Sequence, residues 1–323
     1  MALQPLILIT GPDLAPTAKQ MAEDAGYTLV HTPPYPSEEV LADFLKQYDP
    51  VGVVSRMGQF GAVAAGKSLR VISKHGAGVD NIDIDAATQH GIQVIRAAGG
   101  NAVSVAEHTV ALMFSTIKRL LPLDAGMRAG RWEKAGFLGR ELSGMRLGLV
   151  GGGAIAAAVA KLVKGMDLDV LVYDPYASVD AIEAMGARRA ERIEDLLRQS
   201  DIVSLHCPLT ESNTHMLNAA MLALMPADSY VINTSRGGLI DEAALLAALE
   251  SGHIAGAGLD TFEQEPPLDV NALAASERVI LTPHIAGVTK EAGKRVGELA
   301  VSGIVDFLAG ETLPKARLVN TLA

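Results

Sequence analysis

Polar side chains that could carry acid–base chemistry follow four apolar runs in the second half of the sequence. His206 follows DIVSL, Arg236 follows SYVINTS, Asp260 follows IAGAGL and His284 follows RVILTP. Because ligands bind outside the carboxyl ends of the strands in open α/β sheets, we expect these side chains to meet at one cleft. A histidine there can exchange a proton with a substrate oxygen, and a planar guanidinium can hold a carboxylate through two hydrogen bonds.

A carboxylate that could assist the histidine lies in the acidic, proline-containing segment DTFEQEPP. If Glu265 contacts His284, its charge stabilises the imidazolium. Arg236, Glu265 and His284 are therefore candidate catalytic residues. Each also has a structural interpretation: a surface arginine paired with Asp241, a solvated acidic turn, and a histidine that serves only the fold.

Three consecutive glycines separate an apolar run from an alanine-rich run in RLGLVGGGAIAAAVAK. Between a strand and a helix, Gly151 can form a tight turn, and Gly153 lets backbone amides approach a pyrophosphate at the helix amino end. The third position of the G-x-G-x-x-G pattern is Ala156, an accepted variant. Gly152 has no role in this pattern. The pattern predicts a dinucleotide-binding turn, and a flavodoxin-like turn with incidental glycines is the alternative.

The next strand ends at Asp174, eighteen residues after Ala156. An acidic side chain there can accept hydrogen bonds from the adenosine ribose and would repel a 2′-phosphate. Neither arginine nor lysine occurs in YDPYASVD, so the sequence predicts NAD rather than NADP. With NAD bound, Asp260 could accept a hydrogen bond from the nicotinamide carboxamide, and a capping aspartate is the alternative.

Composition limits the classes of function. The chain has 323 residues, 49% of them hydrophobic, and a net charge of −10, which disfavours nucleic acid or anionic membrane as the main partner. Cys207 is the only cysteine, and the eight histidines lack metal-ligand spacing, so we expect no disulfide framework and no metal site. The amino terminus does not resemble a secretory signal, and no apolar run is long enough to span a bilayer, so we expect a cytoplasmic protein.

Strand-length apolar runs alternate with helical patterns along the whole chain, which predicts parallel sheets covered by helices. Five strand candidates precede residue 100 and six follow residue 145, and the final helix, from about Val288 to Leu308, has no strand after it. We therefore predict one domain from residues 1–100 and 290–323 and another from residues 101–289. Ser37 is a predicted helix N-cap. A helix is predicted over 101–120, followed by a connection rich in glycine and arginine over 123–142.

A second glycine-containing turn, SKHGAGVDNID, follows the predicted strand RVIS in the first domain. Exposed amides in such a turn can form an anion-binding nest, although a plain turn explains the glycines equally well.

These segments together resemble the D-isomer-specific 2-hydroxyacid dehydrogenases, a family that includes phosphoglycerate, glycerate and D-lactate dehydrogenases. The likeness extends from KHGAGVDNIDIDAATQHGIQV through NAVSVAEHTVALM, ELSGMRLGLVGGGAI and HCPLTESNTHMLN to MPADSYVINTSRGGLIDEAAL, AGLDTFEQEPP and LTPHIAG, in the family's order. It implies two doubly wound parallel-sheet domains, with a Rossmann NAD domain inserted into a flavodoxin-like substrate domain. It also implies hydride transfer between nicotinamide C4 and the substrate's C2.

The resemblance assigns roles to particular residues. Arg236, Glu265 and His284 are the implied catalytic residues. The implied cofactor positions are Ala154, Ile155, Asp174, His206, Cys207, Pro208, Thr234, Ser235 and Asp260. Gly151 and Gly153 of the glycine pattern, and Gly287, which permits a close turn after His284, complete the predicted cofactor site. The amides of Ala77, Gly78 and Val79 are implied to bind the substrate carboxylate. Homodimers are usual in the family, with the connection from Arg128 to Glu141 at the interface.

The identity of the substrate is less constrained. SRMGQF stands where many relatives have an arginine, serine and threonine pattern. Arg56 and Lys74 follow first-domain strands, and with Arg236 they favour a substrate with a second anionic group, such as 3-phosphoglycerate. Hydroxypyruvate and glyoxylate are the alternatives. The sequence ends at Ala323, before the serine-sensing domain of some phosphoglycerate dehydrogenases, so serine inhibition is not expected. An NAD-sensing corepressor-like interaction protein is the alternative from another functional class.

Overall fold

The computed structural model describes residues 4–61, 66–267 and 271–322. Contacts within the chain divide it into two compact units: unit 1 contains the residues up to Asn101 and those from Val288 onward, and unit 2 is Ala102–Gly287. Each unit is built on one fully parallel sheet. Among the described residues, no helix has the length and apolar character needed to cross a membrane.

Unit 1 has a five-stranded sheet with the order β2-β1-β3-β4-β5. Its strands are β1 (Leu6–Thr10), β2 (Thr28–Thr32), β3 (Gly52–Ser55), β4 (Val71–Lys74) and β5 (Gln93–Arg96). Its helices are α1 (Pro16–Asp24), α2 (Glu38–Tyr48), α3 (Ile84–Gln89) and α12 (Lys290–Ala309). This is the flavodoxin-like strand order that the family resemblance implied.

Local sequence signals explain where the helices of unit 1 begin. The Ser37 hydroxyl accepts a hydrogen bond from the Val40 amide at 3.3 Å, which confirms the predicted N-cap of α2. Asp83 caps α3 and Thr289 caps α12 in the same way. The final helix buries Ala300, Val301 and Ile304 in the core that also contains Ile7 and Ile9 of β1.

Unit 2 has a seven-stranded sheet with the order β12-β11-β10-β9-β6-β7-β8. Its strands are β6 (Arg146–Val150), β7 (Asp169–Tyr173), β8 (Arg188–Arg189), β9 (Ile202–Leu205), β10 (Ser229–Asn233), β11 (Ile254–Leu259) and β12 (Val279–Leu281). Its helices are α4 (Ala102–Ile117), α5 (Leu120–Arg128), α6 (Ala154–Val163), α7 (Val179–Ala184), α8 (Ile193–Gln199), α9 (Ala219–Leu222), α10 (Glu242–Glu250) and α11 (Asn271–Ala274). The order reverses between β6 and β9, which is the Rossmann switch point and confirms the predicted fold class.

The predicted helix over 101–120 is wrong at its carboxyl end. Helix α4 ends at Ile117, and Arg119 adopts a left-handed backbone with φ of 53°, which interrupts the helical hydrogen bonds. A second helix, α5, then occupies part of the segment predicted as a connection. Pro122 is compatible with this helix because it lies in the first turn, where a missing N–H costs little.

Candidate active site

The centre of the candidate site is a hydrogen-bonded pair of residues predicted to be catalytic. His284 Nδ1 lies 2.5 Å from Glu265 Oε2, and the Phe262 amide donates to Glu265 Oε1 at 3.1 Å. Burial alone would raise the pKa of the Glu265 carboxyl, but the hydrogen bonds from His284 and Phe262 and the charges of His284 and Arg236 outweigh it, so the pKa lies below its ordinary value. Glu265 is therefore a stable carboxylate at neutral pH. Because it occupies Nδ1, proton exchange with a substrate falls to Nε2 of His284.

The backbone of His284 is fixed by Asp260. The Asp260 side chain is fully buried; Oδ1 accepts from the Thr282 hydroxyl at 2.6 Å and the Ile285 amide at 2.9 Å, and Oδ2 accepts from the Ala286 amide at 2.8 Å. The His284 amide donates to the Asp260 carbonyl at 2.8 Å. Asp260 thus caps the loop after β12, which is its structural interpretation, and its contact with the nicotinamide carboxamide stays a prediction.

Two residues that sequence reasoning missed support this site. His108 Nε2, on α4, lies 3.0 Å from the Thr282 hydroxyl and 3.7 Å from Asp260 Oδ1. Asn233, fully buried at the end of β10, donates from Nδ2 to the Arg236 carbonyl at 2.8 Å and accepts from the Ser235 amide at 3.0 Å. A buried asparagine just before a strand-end turn is the local signal that could have identified the second residue.

The turn that carries Arg236 is placed by this asparagine. Arg236 Nη1 donates to the Ser235 carbonyl at 2.8 Å, and the positive charge of Arg236 contributes to the lowered pKa of Glu265. The carboxylate of Asp241 accepts from the Ala244 amide at 2.9 Å and caps α10. Asp241 therefore has the structural role of a helix cap.

The arginine turn packs directly against the loop that carries Glu265. A Cβ added at Gly237 would lie 1.8 Å from the Phe262 carbonyl carbon, so only glycine permits this approach. Glu242 and Glu263 add two reciprocal hydrogen bonds: the Glu242 amide donates to Glu263 Oε1 at 3.0 Å, and the Glu263 amide donates to Glu242 Oε1 at 2.8 Å. These contacts fix the position of the Glu265 loop relative to Arg236.

The glycine turn lies between β6 and α6, as predicted. Gly151 has φ of 101°, and an added Cβ would lie 2.8 Å from the His206 carbonyl group, so glycine is required there. Among the described residues, no atom lies within 4 Å of a Cβ added at Gly153, so the space beside this residue is open, and the first amides of α6 have no acceptor within the helix. Ala156 is fully buried in the core beneath the turn. This open helix amino end suits the pyrophosphate of a dinucleotide.

The structure explains Gly152, which the sequence pattern did not. Its amide donates to Asp174 Oδ2 at 2.7 Å, while Asp174 Oδ1 accepts from the amides of Tyr176 at 2.7 Å and Ala177 at 3.1 Å. A Cβ added at Gly152 would lie 3.3 Å from the Cβ atoms of Asp174 and Ala177. The carboxylate predicted to bind the adenosine ribose is therefore hydrogen-bonded to the glycine turn.

The other predicted cofactor positions lie in turns after β9, β10 and β12. His206 Nε2 lies 2.9 Å from the Ser204 hydroxyl, and burial lowers the pKa of His206 to about 4, so the ring is neutral. Burial raises the pKa of Cys207 to about 11, so it is a thiol. The Ser235 hydroxyl donates to the Cys207 carbonyl at 2.5 Å, and the Thr234 and Thr109 hydroxyls are 2.8 Å apart. Pro208 and Gly287 lie in the same turns, and the Pro208 carbonyl accepts from Asn213.

Apart from Arg236, the predicted substrate-binding residues lie in unit 1, at or just after the carboxyl ends of β3 and β4. Arg56 Nη1 donates to the carbonyls of Pro12 and Asp13, the latter at 2.7 Å, and Lys74 Nζ donates to Asn81 Oδ1 at 2.6 Å. Both cations thus have partners within unit 1. Within the part of the chain that the structure describes, the amides of Ala77, Gly78 and Val79 donate to no protein acceptor. Three such adjacent amides can bind an anion.

The close packing at Gly237 generates a prediction. We expect Gly237→Ala to lower the free energy of unfolding by about 2 kcal/mol or more, because the added methyl meets backbone that cannot yield without moving the Glu265 loop. Urea denaturation measures this loss, and the ring NMR signals of His284 report the displaced carboxylate.

Gly238→Ala is the matched control, since the nearest atom to its added Cβ is the flexible end of Leu209 at 3.0 Å. If both variants lost the same small amount of unfolding free energy, the proposed packing constraint at Gly237 would be wrong.

Comparison with known proteins places these features in a family. The NAD-binding domain of the D-isomer specific 2-hydroxyacid dehydrogenases matches residues 110–286. A D-3-phosphoglycerate dehydrogenase from Archaeoglobus fulgidus is 40% identical over 258 residues, which are 80% of this chain and 48% of that protein. An (S)-sulfolactate dehydrogenase from Chromohalobacter salexigens is 40% identical over 236 residues, which are 73% of this chain and 76% of that protein.

A solved structure shows the same fold over nearly the whole chain. The glyoxylate reductase from Paecilomyes thermophila superposes with a TM-score of 0.88 and 30% identity, covering 99% of both chains. The present chain spans about half the length of the phosphoglycerate dehydrogenase that it matches. The predicted resemblance is thus confirmed: the chain belongs to the D-isomer specific 2-hydroxyacid dehydrogenase family, and residues 110–286 match its NAD-binding domain.

Proposed function

We propose that the protein is an NAD-dependent dehydrogenase that interconverts a D-2-hydroxy acid and its 2-keto acid. The observation that carries this proposal is the 2.5 Å contact between His284 and Glu265, on a loop packed against the turn of Arg236. An acid–base group, a carboxylate that stabilises its charged form and a guanidinium are the groups that the reaction needs from the protein. When bound, NAD supplies the hydride acceptor, and NADH the hydride donor.

Each of the three residues has a distinct role. Arg236 holds the substrate carboxylate and the oxygen at C2 through its planar N–H groups. His284 takes the hydroxyl proton at Nε2 during oxidation and returns it to the carbonyl oxygen during reduction. Glu265 holds the ring by Nδ1 and stabilises the imidazolium.

We assign cofactor binding to residues 101–289. The amides of Ala154 and Ile155, beside Gly151 and Gly153, hold the pyrophosphate, and Asp174 binds the adenosine ribose. The remaining proposed cofactor contacts are His206, Cys207, Pro208, Thr234, Ser235, Asp260 and Gly287.

We assign substrate binding to residues 1–100 and 290–323. The amides of Ala77, Gly78 and Val79 bind the substrate carboxylate. With Arg56 and Lys74 nearby in sequence, a substrate with a second anionic group, such as 3-phosphoglycerate, is one candidate. The contacts of Arg56 with two carbonyls and of Lys74 with Asn81 favour the smaller monoacids, hydroxypyruvate or glyoxylate.

A screen of 2-keto acids tests the function. Glyoxylate, hydroxypyruvate, 3-phosphohydroxypyruvate and sulfopyruvate are each offered with NADH, and oxidation of NADH is followed by absorbance. Preference for the two doubly anionic acids would assign Arg56 and Lys74 to the substrate. Absence of turnover with all 2-keto acids, together with intact NADH binding, would favour a corepressor-like interaction protein on the same fold.

His284→Ala tests the catalytic assignment. We expect kcat to fall by a factor of about 10² to 10⁴, the contribution of general acid–base catalysis, with little change in the Kd for NADH. His90→Ala, which removes an exposed histidine at the end of α3, is the control and keeps full activity. Turnover unchanged in His284→Ala would disprove the role of this histidine.

Asp174→Ala tests cofactor choice. The wild-type protein is expected to prefer NADH to NADPH, because the Asp174 carboxylate accepts from the ribose hydroxyls and repels a 2′-phosphate. In the variant, the ratio of kcat/KM with NADH to kcat/KM with NADPH should fall by about tenfold or more. An unchanged ratio would refute this assignment.

We also propose that the protein is cytoplasmic and forms a homodimer through the segment Arg128–Glu141. Exposed apolar side chains on and beside this segment support the dimer: Leu138 is 94%, Trp132 74% and Met127 54% exposed. Such an apolar cluster is typical of an interface. We expect sedimentation to give the mass of a dimer and Leu138→Lys with Trp132→Lys to give a monomer, whereas a monomeric wild type would contradict the proposal.

A further inference from the structure

An arginine distant in sequence from Asp174 lies beside the cofactor turn. Strand β8 pairs in parallel with β7, with Arg189 opposite Val172. The carboxyl ends of parallel strands lie at one edge of the sheet, so the end of β8 is adjacent to the end of β7, where Asp174 begins its turn. The absence of a basic residue in the turn YDPYASVD therefore does not mean the absence of a cation near it.

Hydrogen bonds join this arginine to Asp174 through one residue. Arg189 Nη1 donates to the Ala177 carbonyl at 2.7 Å, and the Ala177 amide donates to Asp174 Oδ1 at 3.1 Å. The Arg189 side chain is only 22% exposed, and its buried Nε lies 3.4 Å from Glu191 Oε1 without making a hydrogen bond among the described residues. The guanidinium is thus held at a defined position beside the turn.

The neighbouring arginines are directed elsewhere. Arg188 contacts the Asp169 carboxylate through Nε at 3.2 Å and Nη2 at 2.5 Å, and Arg192 lies 3.1 Å from Glu194. The carboxylate nearest to Arg189 in the described structure is Glu191, 3.4 Å away and 76% exposed, so solvent weakens this pair. A guanidinium has five N–H donors, which exceeds what Ala177 and Glu191 engage.

We propose that Arg189 is a specificity residue for the adenosine end of the cofactor, positioned to bind a 2′-phosphate but opposed by Asp174. This inference rests on the proposed binding of NAD at the 151–155 and 174–177 turns. Discrimination against a 2′-phosphate then depends on one carboxylate, and removal of that carboxylate exposes a cation already in place. Arg189 supplies the charge-assisted hydrogen bonds that a phosphorylated ribose needs.

Calorimetric titration with ADP-ribose and with 2′-phospho-ADP-ribose tests the proposal without requiring turnover. We expect Asp174→Ala to bind the phosphorylated ligand about tenfold or more tightly than the wild type does. Adding Arg189→Ala to Asp174→Ala should remove that gain and leave the Kd for ADP-ribose unchanged. Adding Arg188→Ala instead should preserve the gain, because Arg188 faces Asp169.

Four results would overturn the proposal. The affinity for 2′-phospho-ADP-ribose could fail to rise in Asp174→Ala. It could also rise in Asp174→Ala and stay as high in the double variant with Arg189→Ala. Arg189→Ala could instead weaken both ligands equally, which would assign the arginine to support of the turn alone. A folded wild-type protein that binds neither ligand would overturn the cofactor assignment of the turn, and the inference with it.

Discussion

A single buried carboxylate determines where the candidate acid–base histidine lies. Asp260 is shielded from water, so its charge must be met by hydrogen bonds, and three donors on the loop after β12 supply them. The loop that makes these hydrogen bonds to Asp260 holds His284 in a left-handed backbone conformation with φ of 51°. This conformation costs of order 1 kcal/mol for a residue with a side chain. The bonds to Asp260 offset this cost. The imidazole is therefore placed by a residue that need not touch the substrate.

Close backbone approaches set the remaining distances at the same edge of the sheet. The turn after β10 meets the loop after β11 at Gly237, and the turn after β6 meets the residue after β9 at Gly151; a methyl group would separate either pair. Closely packed backbone has little freedom to adjust. Because the turns after neighbouring strands touch each other, the strand positions also fix the positions of Arg236 and Glu265. The residues proposed for catalysis and those proposed for cofactor binding are thus both positioned by the order of strands in unit 2.

The sequence predicts well those features that depend on local pattern. All eleven strand candidates, the cap at Ser37 and the glycine turn follow from periodicity and from residues adjacent in the chain. The sequence offered Glu265 only as a carboxylate that could assist His284, and the family resemblance implied its catalytic role; the contact itself is a finding of the structure. The roles of Asn233, His108 and Arg189 were not predicted, because each depends on a hydrogen bond to another segment. Likewise, the end of α4 depends on a left-handed Arg119, which residue type does not signal.

The anion sites proposed for this chain are built mainly from oriented N–H groups rather than from an excess of positive charge. The protein carries a net charge of −10, yet it presents the amino end of α6 and the three amides of residues 77–79. Such dipoles act over short distances and need a matching geometry, whereas a basic surface attracts polyanions from afar and without selection. Salt screens the second effect far more than the first, since a direct hydrogen bond excludes the intervening ions. Backbone amides can therefore bind a small carboxylate or a pyrophosphate on an acidic protein without a basic surface, and only a few arginines, such as Arg236, need to add their charge.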